Sequence, residues 1–143
     1  MAALFSFEVH TPYRLFFCGR VQTVILELTD GEIGIYANHS PFIAPVVSCI
    51  FRIKDADGNW RRAFVSSGIL EIKEYKSVLM ADAAEWPEEI DMERALESKQ
   101  QAEQALKDIH FKFETDKAKE KLRRAEYRLK AAQEHQSTVQ RID

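Results

Sequence analysis

Phe5, Phe7 and Val9 alternate with Ser6, Glu8 and His10, the period-2 pattern of a strand with one face buried. Thr11-Pro12 ends it. Val24, Ile25, Leu26 and Leu28, with Thr23 and Glu27, form a second such run, which stops at Asp30-Gly31, a dipeptide suited to the positive-φ positions of a tight turn. Ile33 to Tyr36 is the return strand. After the loop Asn38-His39-Ser40-Pro41 comes the apolar stretch Phe42 to Val47, then a strand in which Cys49, Phe51 and Ile53 oppose Arg52 and Lys54. Asp55-Ala56-Asp57-Gly58-Asn59 closes a hairpin, and Trp60 to Val65, Ile69 to Ile72 and Ser77 to Met80 add further strands. Short strands at such spacings, with no helical stretch between them, predict a β-sandwich or barrel.

The pattern changes near Ala84. Beyond Pro87 there is no glycine and helix formers dominate. Pro87 suits a first helical turn, and Asp91 is placed to cap a helix that starts at Met92-Glu93-Arg94. Ala95, Ala102, Leu106 and Ile109 form one narrow apolar stripe; Phe111, Ala118, Leu122, Ala125, Leu129 and Ala132 form another. A short connection at Asp108-Ile109-His110 makes them antiparallel. The fold class is therefore α+β, with a β-sandwich over residues 1–86 and an antiparallel α-helical hairpin over 87–143. Alanine buries little apolar area, so the hairpin is expected to be weakly held and able to detach and extend.

Composition narrows the chemistry. The net charge of -3 is well mixed and gives no electrostatic reason to expect nucleic-acid binding. Cys18 and Cys49 stand apart, without a Cys-x-x-Cys pair or histidines at metal-ligand spacing, so they read as buried reduced thiols. Met1-Ala2-Ala3-Leu4-Phe5 lacks the features of a secretory signal, and no apolar run reaches the roughly 20 residues of a membrane span. The four histidines, His10, His39, His110 and His135, are scattered. No nucleophile elbow, phosphate-binding Gly-rich loop or dinucleotide fingerprint occurs, and Glu88 with Glu89 flanks a helix start, where acidic residues favour the dipole. One constellation is less bland. Asp91 and Arg94 share the first turn of one helix, and Arg124 and Arg128 share a face of the other, so a folded hairpin could converge them on one anion. A solvated charged face is the alternative.

At Asp30-Gly31-Glu32-Ile33-Gly34-Ile35-Tyr36 and His39-Ser40-Pro41 the chain resembles the epsilon-subunit family of bacterial and chloroplast F-type ATP synthases. Val65-Ser66-Ser67-Gly68-Ile69-Leu70-Glu71-Ile72, Ala81-Asp82-Ala83-Ala84-Glu85 and Ile90-Asp91-Met92-Glu93-Arg94-Ala95 follow in the family's order. The resemblance runs from about Phe5 to Ala132. It implies a non-catalytic central-stalk subunit of an ion-driven synthase, whose sandwich of two five-stranded sheets docks on the gamma subunit and the c-ring. Glu32 and His39 would lie in sandwich loops facing the ring. The hairpin would pack down, or extend along gamma to the alpha/beta catalytic head and block ATP hydrolysis. In members that bind ATP as a regulatory ligand, the matching positions are Glu85, Ile90, Asp91, Arg94, Ala95, Arg124 and Arg128; no other cofactor is implied. The location implied is peripheral, on the cytoplasmic face of a bacterial membrane or the stromal side of a thylakoid.

Three positions depart from the family pattern. Tyr36-Ala37-Asn38-His39 replaces the usual Leu-Pro-Gly-His, Ser67 replaces a glycine of a Gly-Gly pair, and Gln101 stands where ATP-binding members carry another arginine. Two other functions fit the residues alone: a free-standing adaptor with a sandwich module and a coiled-coil hairpin, and a small nucleotide sensor independent of any rotor.

Overall fold

A computed structural model describes residues 2–108 and 112–142, which divide into the units Met1–Glu85 and Trp86–Asp143. In the first, the strands are β1 (Phe5–His10), β2 (Leu15–Leu28), β3 (Gly31–Tyr36), β4 (Phe42–Val46), β5 (Cys49–Asp55), β6 (Trp60–Val65), β7 (Gly68–Ile72), β8 (Lys76–Ala81) and β9 (Ala84–Glu85). β2 is 14 residues long, and its two halves belong to different layers. Its first half pairs with β1, which continues through β8 and β7 to β4; its second half lies between β3 and β5, followed by β6 and β9. Counting β2 in both, nine strands make two five-stranded layers. The sandwich expected from the resemblance is thus built around one shared strand.

The handover falls at Val21, which pairs with Phe5 on one side and Asp55 on the other, next to a register shift between Val21 and Thr23. An extra residue in a strand bends it and reverses which face each later side chain takes. Val21 is buried at an odd position and Val24 and Leu26 at even ones, the phase change such a bulge produces. That is why only the second half of β2, Thr23 to Leu28, reads as a strand in the sequence. β4 closes the circuit by returning to β2, through Leu28 opposite Val46 and the Val47 N–H donating to the Glu27 carbonyl at 3.1 Å. Phe7, Val9, Phe51, Leu70 and Leu79 are fully buried from both layers.

Turn chemistry follows the sequence at two places. Gly31 has φ 136° in the β2–β3 turn, and Asn38 has φ 65°, so the asparagine occupies the left-handed region where the family pattern has glycine. Pro45 sits inside β4, tolerated because β4 is hydrogen-bonded along its length only to β7 and touches β2 at one pair. β9, with two residues, is too short for periodicity to reveal.

Buried serines tie the connections together. The Ser48 hydroxyl accepts from the Ser67 N–H at 3.1 Å, and the Ser66 hydroxyl accepts from the Ala83 N–H at 2.7 Å. Ser67 takes part through its backbone, which explains why a side chain is accepted there. Gly68 is different: a Cβ on it would lie 2.1 Å from the Met80 carbonyl oxygen.

In the second unit a 3₁₀ turn, Pro87–Glu89, precedes α1 (Met92–Asp108) and α2 (Lys112–Ile142). The Lys121 ammonium donates to the Gln101 side chain at 3.4 Å, and the Gln136 amide lies 3.3 Å from the Met92 sulfur. As one number rises the other falls, so the helices are antiparallel. Ala95, Ala102, Ala118, Ala125, Ala131 and Ala132 are buried, while Leu106, Leu122 and Leu129 are half-buried. The seam is therefore alanine in substance as well as in pattern. The expected turn residues Ile109 and His110, and the seam position Phe111, lie outside the described residues. With 31 residues α2 runs for about 46 Å, continuing well past Ala132, the last position of its apolar stripe.

Replacing Gly68 by alanine forces β7 and β8 apart, because the obstacle is backbone rather than a movable side chain. The Gly68→Ala variant should lose about 3 kcal/mol or fail to fold, read from urea unfolding of the full chain against a Ser67→Ala control.

Candidate functional site

Cross-strand register composes the outer face of the first layer row by row. Pro45 pairs with Ile69, Ile69 with Met80, Met80 with His10 and His10 with Leu15, so these five residues form one row across five strands. Its apolar members are exposed, Leu15 at 53%, Ile69 at 46% and Met80 at 50%, and Ile43 in the adjacent row at 67%. That adjacent row continues through Glu71, Val78, Glu8 and Cys18, and beyond it Lys76, Ser6 and Arg20 make a basic one. Sequence reasoning missed this face. The signal was available: Phe42 to Val46 and Val78 to Met80 are apolar in both phases, whereas a sandwich strand with one wet face should alternate.

The polar groups on this face largely satisfy one another. Glu8 Oε2 lies 2.9 Å from His10 Nε2 and 3.4 Å from Lys76 Nζ. Cys49 is buried as expected, but Cys18 is exposed, because its register opposite Glu8 turns it to this outer face, where its thiol donates weakly to Glu8 Oε1 at 3.8 Å. The hydrogen bond from His10 holds the Glu8 carboxyl below its ordinary value, against partial desolvation and with help from Lys76. Glu71 pairs with Lys73 at 3.7 Å.

The two residues assigned to the ring by resemblance flank opposite ends of β3. Glu32 is the second residue of β3 rather than a loop residue, and its carboxylate accepts from the Arg52 guanidinium. A strand residue results because the Asp30-Gly31 turn is tight enough for pairing to resume at once, Gly31 opposite Leu28 and Glu32 opposite Glu27. His39 does lie in a loop, beyond the far end of β3. Its Nδ1 is 2.7 Å from the Ser40 carbonyl, and its ring is 6.1 Å from that of Phe42.

Of the anion-binding candidates, Glu85 closes β9 in the first unit, opposite Phe64. The other six belong to the second. Asp91 caps α1, its Oδ1 accepting from the Arg94 N–H at 3.1 Å, and its carbonyl accepts from the buried Ala95 at 3.0 Å. Ile90 ends the 3₁₀ turn in extended backbone. The antiparallel contacts run Arg94 beside the stretch of α2 from Arg128 to Glu134, and place Arg124 further along, beside Ser98 to Gln104. Arg124 Nε already donates to Glu120 at 3.3 Å, and Gln101 is engaged by Lys121. An anion here would compete with Glu120 for Arg124. Among the described residues no cluster suits a metal ion, and no helix is long and apolar enough to cross a membrane.

Comparison with known proteins matches residues 4–87 to the ATP synthase, Delta/Epsilon chain, beta-sandwich domain, and residues 88–133 to the ATP synthase, Delta/Epsilon chain, long alpha-helix domain. The chain belongs to the ATP synthase delta/epsilon family. The ATP synthase epsilon chain of Caldicellulosiruptor bescii is 43% identical over 137 residues, covering 96% of this chain and 99% of the relative. That of Caldanaerobacter subterraneus is 41% identical over 137 residues, covering 95% and 99%. Among solved structures, a chain of the Euglena gracilis mitochondrial ATP synthase (OSCP, F1 and c-ring) aligns with a TM-score of 0.76 at 17% identity, over 92% of this chain and 82% of that one. A chain from the Tetrahymena thermophila central stalk and c-ring aligns at 0.65 and 11% identity, over 92% and 98%. These two establish the fold. As a delta/epsilon chain the protein is a stalk subunit rather than a catalytic one.

The Glu8 carboxyl, lowered in the folded state, contributes stability above its unfolded value that is lost as pH falls through the folded one. Glu8→Gln should flatten the acid limb of stability, measured as the urea midpoint from about pH 5 to about pH 3.

Proposed function

We propose that this chain is the epsilon subunit of the central stalk of a bacterial F-type ATP synthase, located peripherally on the cytoplasmic face of the membrane. The first unit couples the c-ring to gamma during ion-driven synthesis, and the helical hairpin restrains ATP hydrolysis by extending toward the alpha/beta head. The observation that carries this reading is the family match across both units, from residue 4 to residue 133, together with relatives of nearly equal length. The apolar row on the first layer supplies a gamma-docking face. Glu32 is the ring-facing residue, held in place by Arg52. The alanine seam supports the switching role, since it joins the helices through small contacts that can be exchanged for others.

Adding the full chain to a synthase head stripped of this subunit should suppress ATP hydrolysis, and a truncation after Glu85 should not. Equal inhibition by both would move the restraint to the sandwich and remove the hairpin from the mechanism.

We propose further that ATP is a regulatory ligand of the folded hairpin, bound by Arg94 and Arg128 with Arg124. The antiparallel pairing of α1 with α2, which runs the start of α1 beside the part of α2 that begins at Arg128, supports it. Gln101 in place of an arginine removes one charge-assisted contact, weakening binding by about tenfold relative to a site that has it. Calorimetry with ATP should show Arg94→Ala and Arg128→Ala each weakening binding by about tenfold or more. Heats equal to wild type would return these arginines to a solvated face.

A further inference from the structure

We infer that docking on the outer face of the first layer is proton-sensitive, with the gamma subunit as occupant and His10 as the sensing residue; this rests on the proposed assignment of that face to gamma. His10 stands between Met80 and Leu15, the one titratable side chain in the row Pro45, Ile69, Met80, His10, Leu15. Its side chain is 43% exposed, so a partner that covers the apolar members of the row covers the imidazole with them. A neutral imidazole hydrogen-bonded to a carboxylate is tolerated in such a contact. An imidazolium brings a charge that must be taken out of water.

The neighbouring charges decide how much of that cost is compensated. From β1, Glu8 lies 2.9 Å from His10; from β8, Lys76 lies 3.4 Å from the same carboxylate; from β2, the Cys18 thiol lies 3.8 Å from its other oxygen. Glu71 on β7 is taken by Lys73. Arg14, next to Leu15, lies over the Phe16 ring and donates to the Ala84 carbonyl at 3.4 Å. Glu8 is therefore already balanced by Lys76. With His10 neutral the cluster carries no net charge, and with His10 protonated it carries one positive charge inside the docking row.

The shape of the row fits a long element of a partner rather than a loop tip. Five strands at about 4.8 Å spacing make it about 19 Å long, the length of a helix of about 13 residues. The polar rows beside it pair internally, so the partner needs an apolar stripe more than complementary charge. One long amphipathic helix of gamma would meet that description. Acidification would then loosen this chain from its partner.

The test uses the full chain and its gamma subunit, with affinity measured at about pH 8 and about pH 5.5, and with melting of the free chain at both values to confirm folding. Wild type should bind about tenfold more weakly at the lower pH, as expected where docking excludes an imidazolium. His10→Gln should bind tightly at both, and His10→Lys weakly at both. An unchanged pH response in His10→Gln overturns the inference and leaves the docking face standing. Met80→Asp separates the two readings: if it binds gamma as wild type does, the face is wrong and the proton sensor falls with it. Self-association of the free chain through this row, without gamma binding, would assign the face to a second copy and overturn both.

Discussion

Everything in the first unit depends on β2 being hydrogen-bonded into two layers at once. A sandwich made of separate sheets is held by side-chain packing between them, whereas here the main chain passes from one to the other at Val21. The bulge beside it reverses side-chain phase, so that residues on both sides of the corner still point inward. The closure at Leu28 and Val46 then fixes the far end. Relative sliding of the layers would break ladder hydrogen bonds on β2.

The second unit follows the opposite principle. Each buried methyl contributes about 0.8 kcal/mol, so six buried alanines supply about 5 kcal/mol, against about 9 kcal/mol or more for six leucines. Half-burial of Leu106, Leu122 and Leu129 adds to this but leaves apolar surface for another partner. Long helices rich in good formers keep their backbone bonds when they separate, so only side-chain contacts are lost. On the proposed reading, a stiff unit followed by one with exchangeable contacts is what a coupling element carrying a releasable brake requires.

How much of this was legible in the sequence varied with the physics of each element. Strands with one wet face, such as β1 and β5, show their period directly. β2 was half hidden because its bulge breaks the period, and β9 because two residues carry none. The apolar row was hidden for a subtler reason: residues that suit a protein interface look like core, so Ile69 and Met80 read as packing. The arginines were identifiable from spacing and resemblance, but their engagement was not. That Arg124 is held by Glu120 and that Gln101 is taken by Lys121 depends on the register of α1 against α2, which no local pattern encodes.

The three departures from the family pattern now separate by mechanism. Asn38 preserves its turn, since its φ of 65° is a conformation that asparagine reaches with less strain than most residues. Ser67 is neutral because the structure uses its backbone, while the steric demand falls on Gly68. Gln101 changes chemistry: an arginine there would add a cation level with Arg124, whereas glutamine accepts a hydrogen bond from Lys121 and ties the two helices together. On the proposed reading, this exchange trades strength of nucleotide binding for a contact that stabilises the folded hairpin without any ligand. The resting state of the brake would then depend less on ATP than in relatives that keep the arginine, and more on the pairing of α1 with α2 itself.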